Sequence, residues 1–317
     1  MNCLDEVLEK YPLVVLDGAF ATELEGRGFD IKDELWSAKA LHERPDLVKA
    51  VHLDYLRAGA DVVESASYQA TIEGFLRKGL SRERAAELIK LSVSLAKEAR
   101  AEFIREAPEI LTHRPKPLVA ASVGPYGAFL ADGSEYRGNY AIGEEELADF
   151  HEERLKLLAD EEPDIMAVET LPCLVEAKAV VRAVRRAGIS IPLWISFSCK
   201  DADSISDGTP LGECAAWLEG APEVVALGLN CTAPQHVSSL IGKIREKSKK
   251  HIVVYPNSGE TYDAVTKTWQ GASARFVDMA ARWYQAGARL IGGCCRTTPD
   301  DIRAIAAWAR SREMRKY

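Results

Sequence analysis

No apolar run in this 317-residue chain approaches the ~20 residues that a membrane-spanning helix needs. A secretory signal is missing too. The start, Met1-Asn-Cys-Leu-Asp-Glu6, carries acids where a signal peptide has basic residues and then an apolar core. A cytoplasmic location is the expectation. Excess positive charge is also lacking: the formal net charge is −8, which argues against a general affinity for nucleic acid or for an anionic membrane surface. The basic cluster Lys247-Ser-Lys-Lys-His251 is short and abuts a helix end, where cations suit the helix dipole. There is no low-complexity segment, no linker and no break in composition, so a single domain over residues 1–317 is expected. Small molecules are the expected partners, with no nucleic acid, no membrane and no obligate protein partner.

What is present is an alternation of short apolar runs with longer amphipathic ones. Strands are expected at 13–17, 61–65, 118–122, 165–169, 193–197, 224–230, 252–255 and 290–293. Most are continuously apolar, as parallel strands buried on both faces are. Helices are expected at 46–58, 81–102, 144–158, 174–186, 211–218, 234–247, 272–286 and 299–310. Thr298, Pro299 and the acids Asp300 and Asp301 form a clear start signal for the last one. Eight strand–helix units in a row predict an α/β fold, a (β/α)8 TIM barrel. An open doubly wound sheet is the rival, but the turn after the first run reads Asp17-Gly-Ala-Phe-Ala-Thr22 and lacks its G-x-G-x-x-G signature.

In such a barrel the chemistry lies at the carboxyl ends of the strands. Seven cysteines are present, at 3, 173, 199, 214, 231, 294 and 295. Cys3, Cys173, Cys199 and Cys214 read best as buried small apolar residues. Cys231 ends the sixth run, and Cys294 and Cys295 end the eighth. Sixty-three positions separate Cys231 from Cys294, about two repeats of roughly 30 residues, so all three thiols belong at one end of the barrel. Consecutive strand residues face opposite ways. Both members of the pair can turn inward only if the strand breaks, and Gly292-Gly293 is expected to permit the irregular backbone. Thiolates are soft ligands that favour zinc, and three of them leave a fourth position open. Two other readings stand beside an open zinc site: a vicinal redox pair, and a structural site with a further ligand.

Asp17 and Glu169 also end strands. A carboxylate there often caps the following turn, yet two of them at a barrel mouth could hold an ammonium group. The amides of Gly18, Ala19 and Phe20 could receive a carboxylate. The combination suits an amino acid beside a metal. Trp36, Phe20, Tyr68 and Tyr126 flank the same rim, and an aromatic rim either packs or embraces a cation.

Together these residues resemble the zinc-dependent homocysteine S-methyltransferase family, over essentially the whole chain. The most specific pieces are Gly228-Leu-Asn-Cys231 and Gly292-Gly-Cys-Cys-Arg296, supported by Leu35-Trp-Ser-Ala38, Ala66-Ser-Tyr-Gln-Ala70, Val168-Glu-Thr-Leu171 and Val254-Tyr-Pro-Asn-Ser-Gly259. Ser206-Asp-Gly-Thr-Pro210 and Tyr136-Arg-Gly-Asn-Tyr140 are closer to the stand-alone branch that uses S-methylmethionine than to the betaine-dependent enzymes. The family often has Gly-Gly-Leu or Gly-Ala-Met where this chain has Gly18-Ala19-Phe20.

The resemblance implies Zn2+ held by Cys231, Cys294 and Cys295. It also implies that Asp17 and Glu169 bind the amino group of homocysteine. Trp36 and Tyr68 match positions near the methyl donor, with Asn257 a polar contact in the same mouth. The implied reaction moves a methyl group from a sulfonium, S-methylmethionine or S-adenosylmethionine, to the homocysteine thiol, giving methionine. No catalytic side chain beyond the metal-activated thiolate is required. Methylation of selenocysteine or another thiol is the runner-up, and a non-catalytic zinc thiol sensor the reading from another class.

Overall fold

Val, Ile, Leu and Ala dominate the apolar runs, and in a computed structural model of the chain each run becomes a strand of one parallel sheet. The structure describes residues 2–31, 33, 35–259, 261–263, 268–270 and 276–311, with backbone alone for 261–263 and 268–270. In chain order the strands are β1 (Val14–Val15), β2 (Val62–Glu64), β3 (Leu118–Val123), β4 (Ile165–Leu171), β5 (Leu193–Phe197), β6 (Val224–Asn230) and β7 (His251–Tyr255). A short antiparallel pair, β8 (Thr261–Asp263) and β9 (Thr268–Gln270), precedes β10 (Leu290–Ile291). The main sheet runs β1-β10-β7-β6-β5-β4-β3-β2, all parallel, and a bridge between Leu16 and Val62 joins its two edges. This is the expected (β/α)8 barrel.

The seam between β1 and β2 is closed largely by side chains. Asp61 Oδ2 accepts the Val15 amide at 3.0 Å, and Asp17 Oδ2 accepts the Glu64 amide at 2.9 Å. Carboxylates take the place of strand carbonyls there, which is why the first strand is shorter than the expected 13–17. Asp61 is buried and ion-paired with Arg114 at 3.3 Å and Arg310 at 2.6 Å, as a buried charge requires.

Period-2 alternation fills the barrel. Val14, Leu16, Val62, Ala120, Ile165, Ala167, Trp194, Ala226, Val253, Tyr255 and Leu290 form an interior cluster, with Leu4 of the helix Cys3–Leu8 packed into it. Small alanines face the large Trp194 and Tyr255, so the layers interlock. The outward residues of the same strands, such as Met166 and Val168, join a second cluster beneath the helices.

The helices Pro45–Ala58, Arg82–Glu106, Glu144–Ala159, Leu174–Ala187, Leu211–Glu219 and Pro299–Ala309 lie within a few residues of their expected ranges. Asp301 Oδ2 accepts both the Thr298 amide and hydroxyl at 2.9 Å, which fixes the start of the last one. Two expectations need correction, and a third is tested only in part. Phe20–Gly26 is the first helix after β1, ahead of Pro45–Ala58, and further short helices occupy Ile72–Arg77 and Tyr126–Leu130. The expected helix 234–247 divides into a 3-10 turn, Pro234–His236, and a helix, Val237–Arg245. The helix expected from 272 is seen from Phe276 to Ala286, while 272–275 lie outside the described residues. No helix among the described residues is long and apolar enough to cross a membrane.

Candidate functional site

The inward positions of the strands change character toward their carboxyl ends. After Val62 comes Glu64, after Ala120 comes Ser122, after Ala167 comes Glu169, after Trp194 comes Ser196, and after Gly228 comes Asn230. Two-residue periodicity keeps all of these on the interior face. The upper layer of the barrel is therefore polar, and a cavity of about 350 Å3 opens above it.

Cys231, Cys294 and Cys295 line this cavity, and their sulfurs all lie within 4.8 Å of one another. Cys231 follows β6 with a φ of 45°, and its amide bonds to Tyr255 O at 3.3 Å. A positive φ is costly for a non-glycine residue, and such strain concentrates at functional sites. Four of the eight described non-glycine residues with positive φ, Trp36, Ala131, Thr170 and Cys231, line this one cavity. The pair 294–295 is placed by amide bonds from Cys294 to Pro256 O and from Ser258 to Cys295 O, and by the Thr297 hydroxyl donating to Cys294 O.

Gly292 and Gly293 act differently from the expectation. Neither has a positive φ. A Cβ on Gly292 would lie 2.6 Å from Asp17 O, and one on Gly293 would collide with the Thr297 side chain. The glycines let strand, turn and β1 approach closely, and the irregular backbone falls on Cys231 and Arg296 instead.

The three sulfurs could hold a metal ion. A tetrahedral site with metal–sulfur bonds of about 2.3 Å separates its sulfurs by about 3.8 Å; Cys294 Sγ and Cys295 Sγ are 4.0 Å apart. Cys231 and Cys294 lie near enough to pair instead as a disulfide, their Cα atoms 5.6 Å apart. That bond and metal ligation use the same sulfurs, so they are alternative states. Burial pushes the Cys295 thiol up to about 11, so it does not ionise at neutral pH unaided. The other cysteines are elsewhere: Cys173, Cys199 and Cys214 are buried, and Cys3 Sγ donates to Asp164 O at 3.3 Å.

Asp17 and Glu169 both line the cavity and are almost fully buried. Glu169 accepts from Ser122 Oγ and, at 3.5 Å, from Asn230 Nδ2. Burial raises both carboxyls above their ordinary range. The Glu64 amide opposes the rise at Asp17 while the charge of Glu169 adds to it; the Ser122, Glu64 and Tyr255 hydrogen bonds oppose it at Glu169. Glu64, which the sequence reading left unassigned, is a third acid here. Its carboxyl hydrogen-bonds to Glu169 and is raised by burial and by the charges of Glu169 and Asp17. Its Oε1 is buried without a partner. The signal was available: Glu64 shares the inward register of Ser122 and Glu169.

Gly18, Ala19 and Phe20 line the cavity as expected. The Ala19 amide is already bonded to Thr297 Oγ1 at 3.2 Å, so it is not free to receive a ligand. Phe20 opens the helix Phe20–Gly26 and its ring lies 5.1 Å from that of His52. Trp36 and Tyr68 form an edge-to-face pair with centroids 6.2 Å apart at the cavity wall. Tyr126 does not reach the cavity; it packs with Phe129, Tyr140 and Phe150. Asn257 is likewise not among the described residues that line it; its amide bonds to Thr232 O and its Oδ1 is buried without a partner. Glu135 and Tyr136 do line it and were not foreseen as contacts.

The chain matches the homocysteine S-methyltransferase family model over residues 14–309. It is 56% identical over 313 residues to homocysteine S-methyltransferase YbgG of Bacillus subtilis, covering 98% of this chain and 99% of that protein. It is 48% identical to the Escherichia coli homocysteine S-methyltransferase, covering 96% and 98%. Among solved structures, the metallated form of the homocysteine methyltransferase MmuM from Escherichia coli superposes with a TM-score of 0.87 at 44% identity, covering 97% of this chain and all of that one. The oxidized form of the same enzyme matches equally. Barrel, cysteine cluster and near-complete alignment agree: the chain belongs to the homocysteine S-methyltransferase family.

Proposed function

We propose that this protein is a zinc-dependent methyltransferase that moves a methyl group from a sulfonium donor to the thiol of L-homocysteine, giving methionine. S-methylmethionine is the favoured donor and S-adenosylmethionine the second. The observation that carries this reading is the convergence of three cysteine sulfurs with Asp17 and Glu169 in one cavity.

Cys231, Cys294 and Cys295, once reduced, would hold the metal as thiolates, a soft donor set that suits zinc and leaves one position open. When bound there, zinc supplies the lowered thiol pKa that keeps the homocysteine sulfur ionised at neutral pH. Asp17 and Glu169 take the substrate ammonium, and the uncapped start of the helix at Phe20 faces its carboxylate. This orients the sulfur toward the wall formed by Trp36 and Tyr68, whose π faces suit a cation. The sulfur lone pair forms the new bond to the methyl carbon while the carbon–sulfonium bond breaks, and the donor leaves as a neutral thioether. The thiol proton has by then gone to solvent, so no side chain acts as a base. The chain's contribution is alignment of nucleophile and methyl group.

The test is an assay of reduced, zinc-loaded protein with homocysteine and each donor in turn, scoring methionine. Methionine from S-methylmethionine carries the proposal. Turnover only with another thiol or selenol moves the function to that acceptor. Zinc and homocysteine binding without turnover on any sulfonium means a sensor.

A further inference from the structure

The turn from Asp132 to Arg137 is held rigidly over the cavity. Asp132 Oδ1 accepts the Ser134 amide at 2.9 Å, and the Gly138 amide bonds to Ser134 O at 2.9 Å. The Ser198 hydroxyl donates to Glu135 O at 3.1 Å. On the other side the turn lies so close to Gly127 that a Cβ there would strike the Glu135 amide nitrogen. Fixed in this way, the turn presents two side chains that the protein itself leaves unsatisfied. Glu135 Oε2 is buried with no hydrogen-bond partner. The neighbouring Arg137 is engaged with Asp132, at 3.8 Å to its carboxylate and 3.1 Å to its carbonyl. Tyr136 is a large aromatic residue left 48% exposed, and it lines the same cavity as Trp36 and Tyr68. An unpaired buried carboxylate oxygen is expensive, and a rigid mount for it makes sense when a ligand completes the pair.

We propose that this turn is the binding subsite of the methyl donor: the Glu135 carboxylate receives the donor's α-ammonium group and the Tyr136 ring covers its sulfonium. The inference rests on the methyltransferase reading above and assigns residues to the donor end of that site. Asp17 and Glu169 serve the acceptor's ammonium, and a donor that is itself an amino acid needs a separate anion. Glu135 is that anion. Tyr136 closes an aromatic enclosure with Trp36 and Tyr68, and a cation enclosed by aromatic faces is held without being neutralised, so the sulfonium keeps its reactivity.

The test uses reduced, zinc-loaded protein and two probes: S-methylmethionine and its des-amino analogue, a dimethylsulfonium carboxylate. Calorimetric affinity and KM are read for Glu135→Gln, Tyr136→Leu and Tyr136→Phe. Glu135→Gln should weaken S-methylmethionine by about tenfold to a hundredfold while leaving the des-amino analogue and the homocysteine KM within about twofold. Tyr136→Leu should weaken both sulfoniums alike, with Tyr136→Phe retaining them. An unchanged S-methylmethionine affinity in Glu135→Gln, an equal loss on the des-amino analogue, or a shift in the homocysteine KM instead overturns the subsite. Glu135-dependent binding of S-methylmethionine without methionine formation supports the subsite and refutes the methyltransfer reading. Methionine formation indifferent to Glu135 does the reverse.

Discussion

The Glu64 and Glu169 carboxyls meet at the base of the cavity, where burial raises both above their ordinary range. At Glu64 the charges of Glu169 and Asp17 add to burial, and all three oppose its ionisation. Glutamine fills the same place without titrating. The homocysteine KM of the unaltered protein should therefore carry a titration above the ordinary carboxylate range, tightening as Glu64 ionises with rising pH. Glu64→Gln should lose the Glu64 part of that titration and keep the part that Asp17 and Glu169 give, and it should match the unaltered KM within about threefold on the acid side. Parallel pH profiles for the two proteins would remove Glu64 from the site.

On the proposed function, Cys294→Ser takes away one of three sulfurs that could hold a metal, and no other His, Cys, Asp or Glu among the described residues joins that group. Freshly purified reduced protein should contain about one zinc per chain, as three thiolates and one open position require. The variant should lose the metal and the activity while keeping the far-UV circular dichroism of the barrel. Cys199→Ser, at a buried thiol away from the cluster, should retain zinc. A metal-free preparation with full activity would falsify the zinc assignment.

His52 is fully buried with both ring nitrogens unpaired, and burial lowers its pKa to about 3. The folded protein keeps it neutral, while the unfolded chain takes up a proton below about pH 6.5. Stability tied to this group is complete above that pH and is lost as pH falls toward 3. Between pH 7 and pH 5 the loss should be about 2 kcal/mol. His52→Leu should flatten that part of the profile, read as chemical-denaturation midpoints at the two pH values. An equal pH dependence in the variant would count against it.

Gly228 sits in β6 three residues before Cys231, where a Cβ would run into the Val253 carbonyl of β7. Gly228→Ala should cost about 3 kcal/mol, at the upper end for overpacking because backbone, not a pliant side chain, is in the way. Thermal unfolding measures this. Zinc affinity should fall with it, since the shift displaces Cys231. A variant of unaltered melting temperature and zinc content would show that the barrel yields more easily than its geometry implies.

Much of this was legible in the chain. Apolar runs at 165–169 or 224–230 can only be buried strands, and the repeat length carries Cys231 and Cys294 to one end of a barrel. Asp17 and Glu169 are legible because each directly ends an apolar run. Glu64 was missed because its residue type gives no sign of its company: one acid is unremarkable until the register turns it toward two others. Position along the chain puts Asn257 and Tyr126 at the rim, but the fold buries Asn257 Oδ1 away from the cavity lining and packs Tyr126 among Phe129, Tyr140 and Phe150. Gly292 and Gly293 show the same limit, since a close approach is a property of two segments and sequence displays one at a time.

The order of strands, the polar turn of each inward face and the identity of the three thiols follow from the sequence, because periodicity and residue chemistry are local. Closure of the β1–β2 seam by Asp17 and Asp61, the strained φ of Cys231 that aims its sulfur, and the meeting of Glu64 with Glu169 were decided by the tertiary structure. Each depends on a partner tens of residues away, and only the closing of the barrel brings that partner within hydrogen-bonding or bonding distance.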